Sequence, residues 1–250
     1  MISHADDGFK LGDLRFHQVF GAESQTKPCE FPEFILVKTP EMVEWYIKQF
    51  EGVEVNDLLE LGVLRGGSVA FFNEYFKPAR HMAVDIHATA ARPLAEMSER
   101  ARRDGRNLLA KLDISQADTQ GIVAAYEAHF GRSAEFDVII DDASHFYDLS
   151  VASFNGLFPL VRPGGIYVIE DWGWGQWAPF QSQDNQLYNE PALTNLVHYC
   201  MLGCTGGAAG IARVDIVKDT AFVHRNSQPL PPDFRIESAF STRGRSFPQI

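Results

Sequence analysis

From about residue 55 onward, short apolar runs alternate with longer amphipathic stretches. DLLELG (57–62), HMAVDI (81–86), NLLAKLD (107–113), FDVIID (136–141) and GIYVIED (165–171) read as strands, being short apolar runs bounded by polar or turn residues. Between them, 67–77, 92–104, 116–129 and 148–161 read as helices, the last stopped by RPGG (162–165). Alternating strand and helix with apolar strands predicts a parallel sheet covered on both faces. Upstream, Thr39 caps a helix with Pro40 at its first position and Val43, Tyr46, Ile47 and Phe50 at helical spacing. The first thirty residues are mixed in pattern and read as an arm or cap. After residue 171 the rhythm breaks into a tryptophan-rich loop (DWGWGQWAPF) and a helix near 191–203. A hairpin follows, turning at Lys218-Asp219, and then a tail carrying Pro229, Pro231, Pro232 and Pro248. The expected organisation is a cap over 1–38, an α/β domain over 39–226 and an extended tail over 227–250, placed to lie along a neighbouring subunit of a homodimer or higher homo-oligomer. The domain is expected to be doubly wound and Rossmann-like, with a seven-stranded, mostly parallel sheet ending in an antiparallel hairpin.

Composition narrows the function. With 22 basic against 33 acidic residues the net charge is −11, and no basic stripe breaks it, which argues against nucleic acid as a partner. No apolar run is long enough for a membrane span, and the opening MISHADDGFK has no signal-peptide character. Cys29, Cys200 and Cys204 lack the spacing of a zinc or redox site and fit reduced thiols in a cytoplasmic protein.

Ligands of open α/β sheets sit beyond the carboxyl ends of the strands. Glu60 closes the first strand, Gly62 begins the turn, and Gly66, Gly67 and Ser68 open the next helix. Asp85 ends the second strand at the distance where an acid grips a ribose hydroxyl, and Asp113 ends the third, within reach of an adenine amino group. A dinucleotide motif needs glycine where Leu64 stands, so NAD is disfavoured. S-adenosylmethionine has ribose and adenine but no phosphate, and its positive charge suits Glu60.

At this point ELGVLRGGS, AVDIH, LDIS, IIDDASH and PGGIYVIED resemble the class I S-adenosylmethionine-dependent methyltransferases. More narrowly, they are similar to the metal-dependent saccharide O-methyltransferases of the macrolide deoxysugar and mycobacterial methylmannose types, over roughly residues 55 to 175. The resemblance makes the fourth and fifth strands neighbours, so that Asp142, Glu170 and Asp171 converge. Three carboxylates without an interleaved base repel one another, and a hard cation, Mg²⁺ or Mn²⁺, relieves that repulsion. Carried over residue by residue, the resemblance implies Asp142, Glu170 and Asp171 as metal ligands and His145 as the general base, with Asp141 facing the cofactor or a strand-end amide. The implied activity is methyl transfer to a hydroxyl of a sugar or glycoside. Trp172, Trp174 and Trp177, spaced by Gly173 and Gly175, fit either a lid over the sugar or plain core packing. A catechol-type O-methyltransferase and a non-catalytic binding module are the alternatives. The first would carry lysine where His145 stands, and the second has no need of the intact Asp142, His145, Glu170 and Asp171.

Overall fold

The computed structural model describes residues 2–5, 7–87, 91–206, 208–246 and 249–250. Two compact units divide the chain at Ile114. In the first, β1 (Ile2–Ala5), β2 (Gly8–Leu11), β3 (Leu14–Gln18) and β4 (Glu33–Leu36) form a four-stranded sheet in that order, with β3 and β4 parallel and α1 (Ala22–Thr26) between them. The expected cap is therefore itself a sheet. Phe9, Phe16 and Phe34 are almost fully buried on it, and Phe9 and Phe16 meet the edge of Phe71 at 5.8 and 5.9 Å between ring centres. Next comes α2 (Pro40–Gln49), where the Thr39 side chain accepts a hydrogen bond from the Met42 N–H at 3.2 Å. Then β5 (Asp57–Leu61), α3 (Gly67–Phe76), β6 (Arg80–Val84), α4 (Ala91–Arg103) and β7 (Asn107–Lys111) alternate, and the three strands are parallel neighbours with Leu59, Met82 and Leu109 in register.

The second unit continues the alternation with α5 (Thr119–Phe130), β8 (Phe136–Asp141), α6 (Tyr147–Leu157) and β9 (Val161–Ile169), and β8 and β9 are parallel. RPGG, expected to end a helix, lies inside β9. The helix has already stopped at Leu157, and the β8–β9 register shifts between Phe136 and Val138 to take up the extra residues. After α7 (Thr194–Gly206), β10 (Ile211–Val217) and β11 (Thr220–Arg225) form the expected hairpin, and β11 runs antiparallel to β9. Five parallel strands and two antiparallel ones make this the doubly wound, mostly parallel Rossmann-like class.

The described tail is not free to reach a neighbour over its whole length. Asn155 on α6 accepts from the Ile236 N–H at 2.8 Å and donates to Glu237 at 2.9 Å, and Asn195 on α7 donates to the Ile250 carbonyl at 2.8 Å. Pro248 lies outside the described residues. No described helix is long and apolar enough to cross a membrane.

Candidate active site

The expected cofactor residues of the first unit occupy three different environments. Asp85, one residue past β6, takes the Val63 and Leu64 amides on Oδ2 at 2.8 and 3.1 Å and the His87 amide on Oδ1 at 2.8 Å. Its carboxylate thus shapes the turn that Gly62 (φ 93°) and Gly66 (φ 81°) allow, with Leu64 itself at φ 50°. Asp113 lies two residues beyond β7, exposed, with the Lys111 ammonium 2.5 Å away. Glu60 is fully buried, its Oε2 3.5 Å from Nε2 of the equally buried His81. Burial, reinforced by the positive charge of Arg106, pushes the His81 imidazole down to about 3, so it is neutral at physiological pH. Ser68 is half-buried in the first turn of α3. Gly67 has a packing reason of its own: a Cβ there would stand 1.9 Å from the Ile35 carbonyl oxygen of β4.

In the second unit β8 delivers Asp141 and Asp142, and the Glu170 N–H bonds the Asp141 carbonyl at 3.0 Å, extending the ladder one step past β9. The two neighbouring acids then part. Asp141 is buried, taking Gln116 Nε2 on Oδ1 at 3.2 Å and the hydroxyls of Ser153 and Tyr167 on Oδ2 at 2.7 and 2.9 Å. Burial pushes its carboxyl up to about 6 against the pull of those hydroxyls. Both oxygens accept hydrogen bonds from side chains of the same unit. Asp142 is partly exposed, and with His145 and Asp171 it brings three possible ligand atoms within 4.8 Å of one another. His145 Nε2 stands 3.7 Å from Asp142 Oδ1 and 3.9 Å from Asp171 Oδ2. Glu170, expected in this group, is buried one residue earlier and does not belong to the cluster.

The donor set fits a divalent cation. Two carboxylates, Asp142 and Asp171, suit a hard ion such as Mg²⁺ or Mn²⁺.

No family model matches the chain. Solved structures do. A methyltransferase from the mycinamycin biosynthetic pathway, in complex with Mg and SAH, matches 80% of this chain and 50% of its own at a TM-score of 0.54 and 23% identity. An O-methyltransferase from Bacillus cereus, in complex with SAH, matches 76% of this chain and 82% of its own at a TM-score of 0.52 and 16% identity. The chain has the methyltransferase fold. In sequence it is 51% identical over 49 residues to demethylmacrocin O-methyltransferase from Streptomyces fradiae, a stretch covering 20% of this chain and 12% of that protein. It is 30% identical over 116 residues, 46% of this chain, to an 8-demethyl-8-alpha-L-rhamnosyl tetracenomycin-C 2'-O-methyltransferase from Streptomyces olivaceus, of which the match spans 26%.

Within this methyltransferase fold, several residues of the site carry no motif. Gln116 bridges Asp141 to the loop before His145, its Oε1 accepting from the Ser144 N–H at 2.9 Å. Ser150 and Ser153 are polar residues on the buried face of α6, three apart among Val151, Phe154 and Leu157. That break in an apolar stripe was the one signal available for them. The tryptophan-rich loop is packed: Trp174 is buried, whereas Trp177 is 39% exposed, and a Cβ on Gly175 would meet that of Ala192 at 2.5 Å.

Proposed function

We propose that this chain transfers a methyl group from S-adenosylmethionine to a hydroxyl of a sugar or glycoside. The observation that carries the reading is the convergence of Asp142, His145 and Asp171 beyond the ends of β8 and β9 in a methyltransferase fold. Names of the similar proteins support the acceptor class, and the mycinamycin-pathway structure, known also with Mg, SAH and mycinamycin VI, supports the donor and the cation.

Asp142 and Asp171 would hold a divalent cation, whose Lewis acidity would bring an alcohol's pKa within reach of an imidazole. His145 Nε2 takes the hydroxyl proton as the acceptor oxygen bonds to the methyl carbon and the sulfur–methyl bond breaks, leaving S-adenosylhomocysteine. The first unit binds the donor through the loop that Asp85 organises.

Methyl transfer to a panel of glycosides, with chelator and with Mg²⁺ or Mn²⁺ restored, tests the reading. His145→Ala is expected to slow transfer by about 10²–10⁴-fold while cofactor binding persists. Full activity in excess chelator, or a wild-type rate in the variant, would remove the cation or the base respectively.

A further inference from the structure

Two of the three clustered residues, His145 (φ 58°) and Asp171 (φ 50°), have left-handed backbone, which non-glycine residues adopt at a cost and keep only when their surroundings hold them there. One residue bonds to both. The Trp174 indole N–H donates to the His145 carbonyl at 2.8 Å, and its backbone N–H donates to the Asp171 carbonyl at 3.3 Å. Trp174 is 6% exposed and packed edge-on against Phe180, 5.1 Å between ring centres, so it is fixed independently of the residues it holds. A carbonyl accepts best near the plane of its own peptide group, so the indole N–H favours one setting of the peptide plane after His145 and with it the backbone torsion that aims the imidazole.

The geometry points to Trp174 as a positioning residue that holds the left-handed backbones of His145 and Asp171 together and so sets the imidazole against the carboxylates. This rests on the function proposed above for the cluster, and it assigns the tryptophan-rich loop work beyond contact with an acceptor. A second indole of the loop, that of the half-buried Trp172, supplies an internal comparison. Trp172 Nε1 is buried with no hydrogen-bond acceptor among the described residues.

Trp174→Phe removes the N–H and keeps a buried ring, and Trp172→Phe makes the same chemical change where no acceptor waits. The ring proton resonances of His145, assigned by their loss in His145→Gln, are followed in both variants. Mn²⁺ affinity is read from the electron paramagnetic signal of the free ion. In Trp174→Phe the His145 signals are expected to shift or split and Mn²⁺ affinity to fall about 3–10-fold, the effect of one lost hydrogen bond. The kcat for glycoside methylation is expected to fall about 10–100-fold at nearly constant KM, as small misplacements of a catalytic group do. Trp172→Phe should leave the His145 signals and the Mn²⁺ affinity at wild-type values. If Trp174→Phe fails to fold, benzothienylalanine at position 174 keeps the ring's size and lacks the N–H. Unchanged His145 signals in either 174 variant would overturn the positioning role. A wild-type protein that neither binds Mn²⁺ nor transfers methyl would overturn the proposed function, while the His145 signals would still decide the role of Trp174.

Discussion

Gly67→Ala separates two explanations of the glycine turn. A ligand-binding glycine, on substitution, loses cofactor affinity and keeps stability, whereas a packing glycine loses stability first. The added Cβ would stand 1.9 Å from the Ile35 carbonyl oxygen, 2.7 Å from the Ile35 carbonyl carbon and 3.2 Å from the Leu36 Cα. A carbon and an oxygen settle at about 3.3 Å, so the start of α3 and β4 must separate by about 1.4 Å. Neither partner is a side-chain tip that can swing away, which puts the cost at the upper end of overpacking, about 3 kcal/mol. Alanine's better helix propensity returns up to about 1 kcal/mol, leaving about 2 kcal/mol net. With a urea dependence of about 2–3 kcal/mol per M, the unfolding midpoint falls by about 0.7–1 M. Urea denaturation followed by fluorescence, beside calorimetric titration with S-adenosylhomocysteine, measures both quantities. An unchanged midpoint with lost binding would refute the packing account and return Gly67 to the cofactor.

Other expectations concern charge and contact. His81 titrates near 3 in the folded protein against 6.5 for the free side chain, so the unfolded chain binds more protons between those values. The stability tied to its neutral form is complete above pH 6.5 and is lost as the pH falls toward 3, about 3 kcal/mol of it by pH 4.5. Urea stability at pH 7 and 4.5 should differ less in His81→Gln by that amount, and an equal loss in both proteins would exclude His81 as the source. Asp142→Asn takes one of two carboxylates from the proposed cation and should weaken Mn²⁺ binding at least about ten-fold; undiminished affinity would place the ion elsewhere. Trp177→Ala removes a partly exposed aromatic face and should raise the KM for a glycoside about 2–10-fold with little change in kcat, whereas an unaltered KM would exclude stacking on the acceptor.

Legibility in the sequence followed the strength of the local physics. Phe136–Asp141 was readable to the residue because a run of buried apolar side chains ends on acids, and Thr39-Pro40 because a cap needs only its own chemistry. The Lys218-Asp219 turn was legible for the same local reason. Strands β1 to β4 have only four or five residues each, and their aromatic positions gain meaning only when Phe71 arrives from α3. RPGG misled because a proline and two glycines fit a bulged strand as well as a helix stop. The clustering of Asp142, His145 and Asp171 could be anticipated from strand ends only together with the resemblance that makes the fourth and fifth strands neighbours. The burial of Glu170 and the inward turn of Asp141 could not, since each depends on which face of its strand the ladder extends.

Hairpin tips are ordinarily where a protein absorbs inserted residues and drifts most freely. The tip between β10 and β11 has little such latitude. The Asp219 carbonyl accepts from the Trp172 N–H at 3.3 Å, its carboxylate from the Trp177 indole at 3.4 Å, and that carboxylate also stands 2.8 Å from where a Cβ on Gly173 would be. A single residue added to this turn would withdraw both hydrogen bonds at once from the loop that begins beside Asp171. Length variation at a surface turn is therefore coupled to the geometry of the tryptophan-rich loop beside Asp171, and a library that changes the 218–219 turn while preserving every acid and histidine tests whether that loop shapes acceptor preference under the function proposed above.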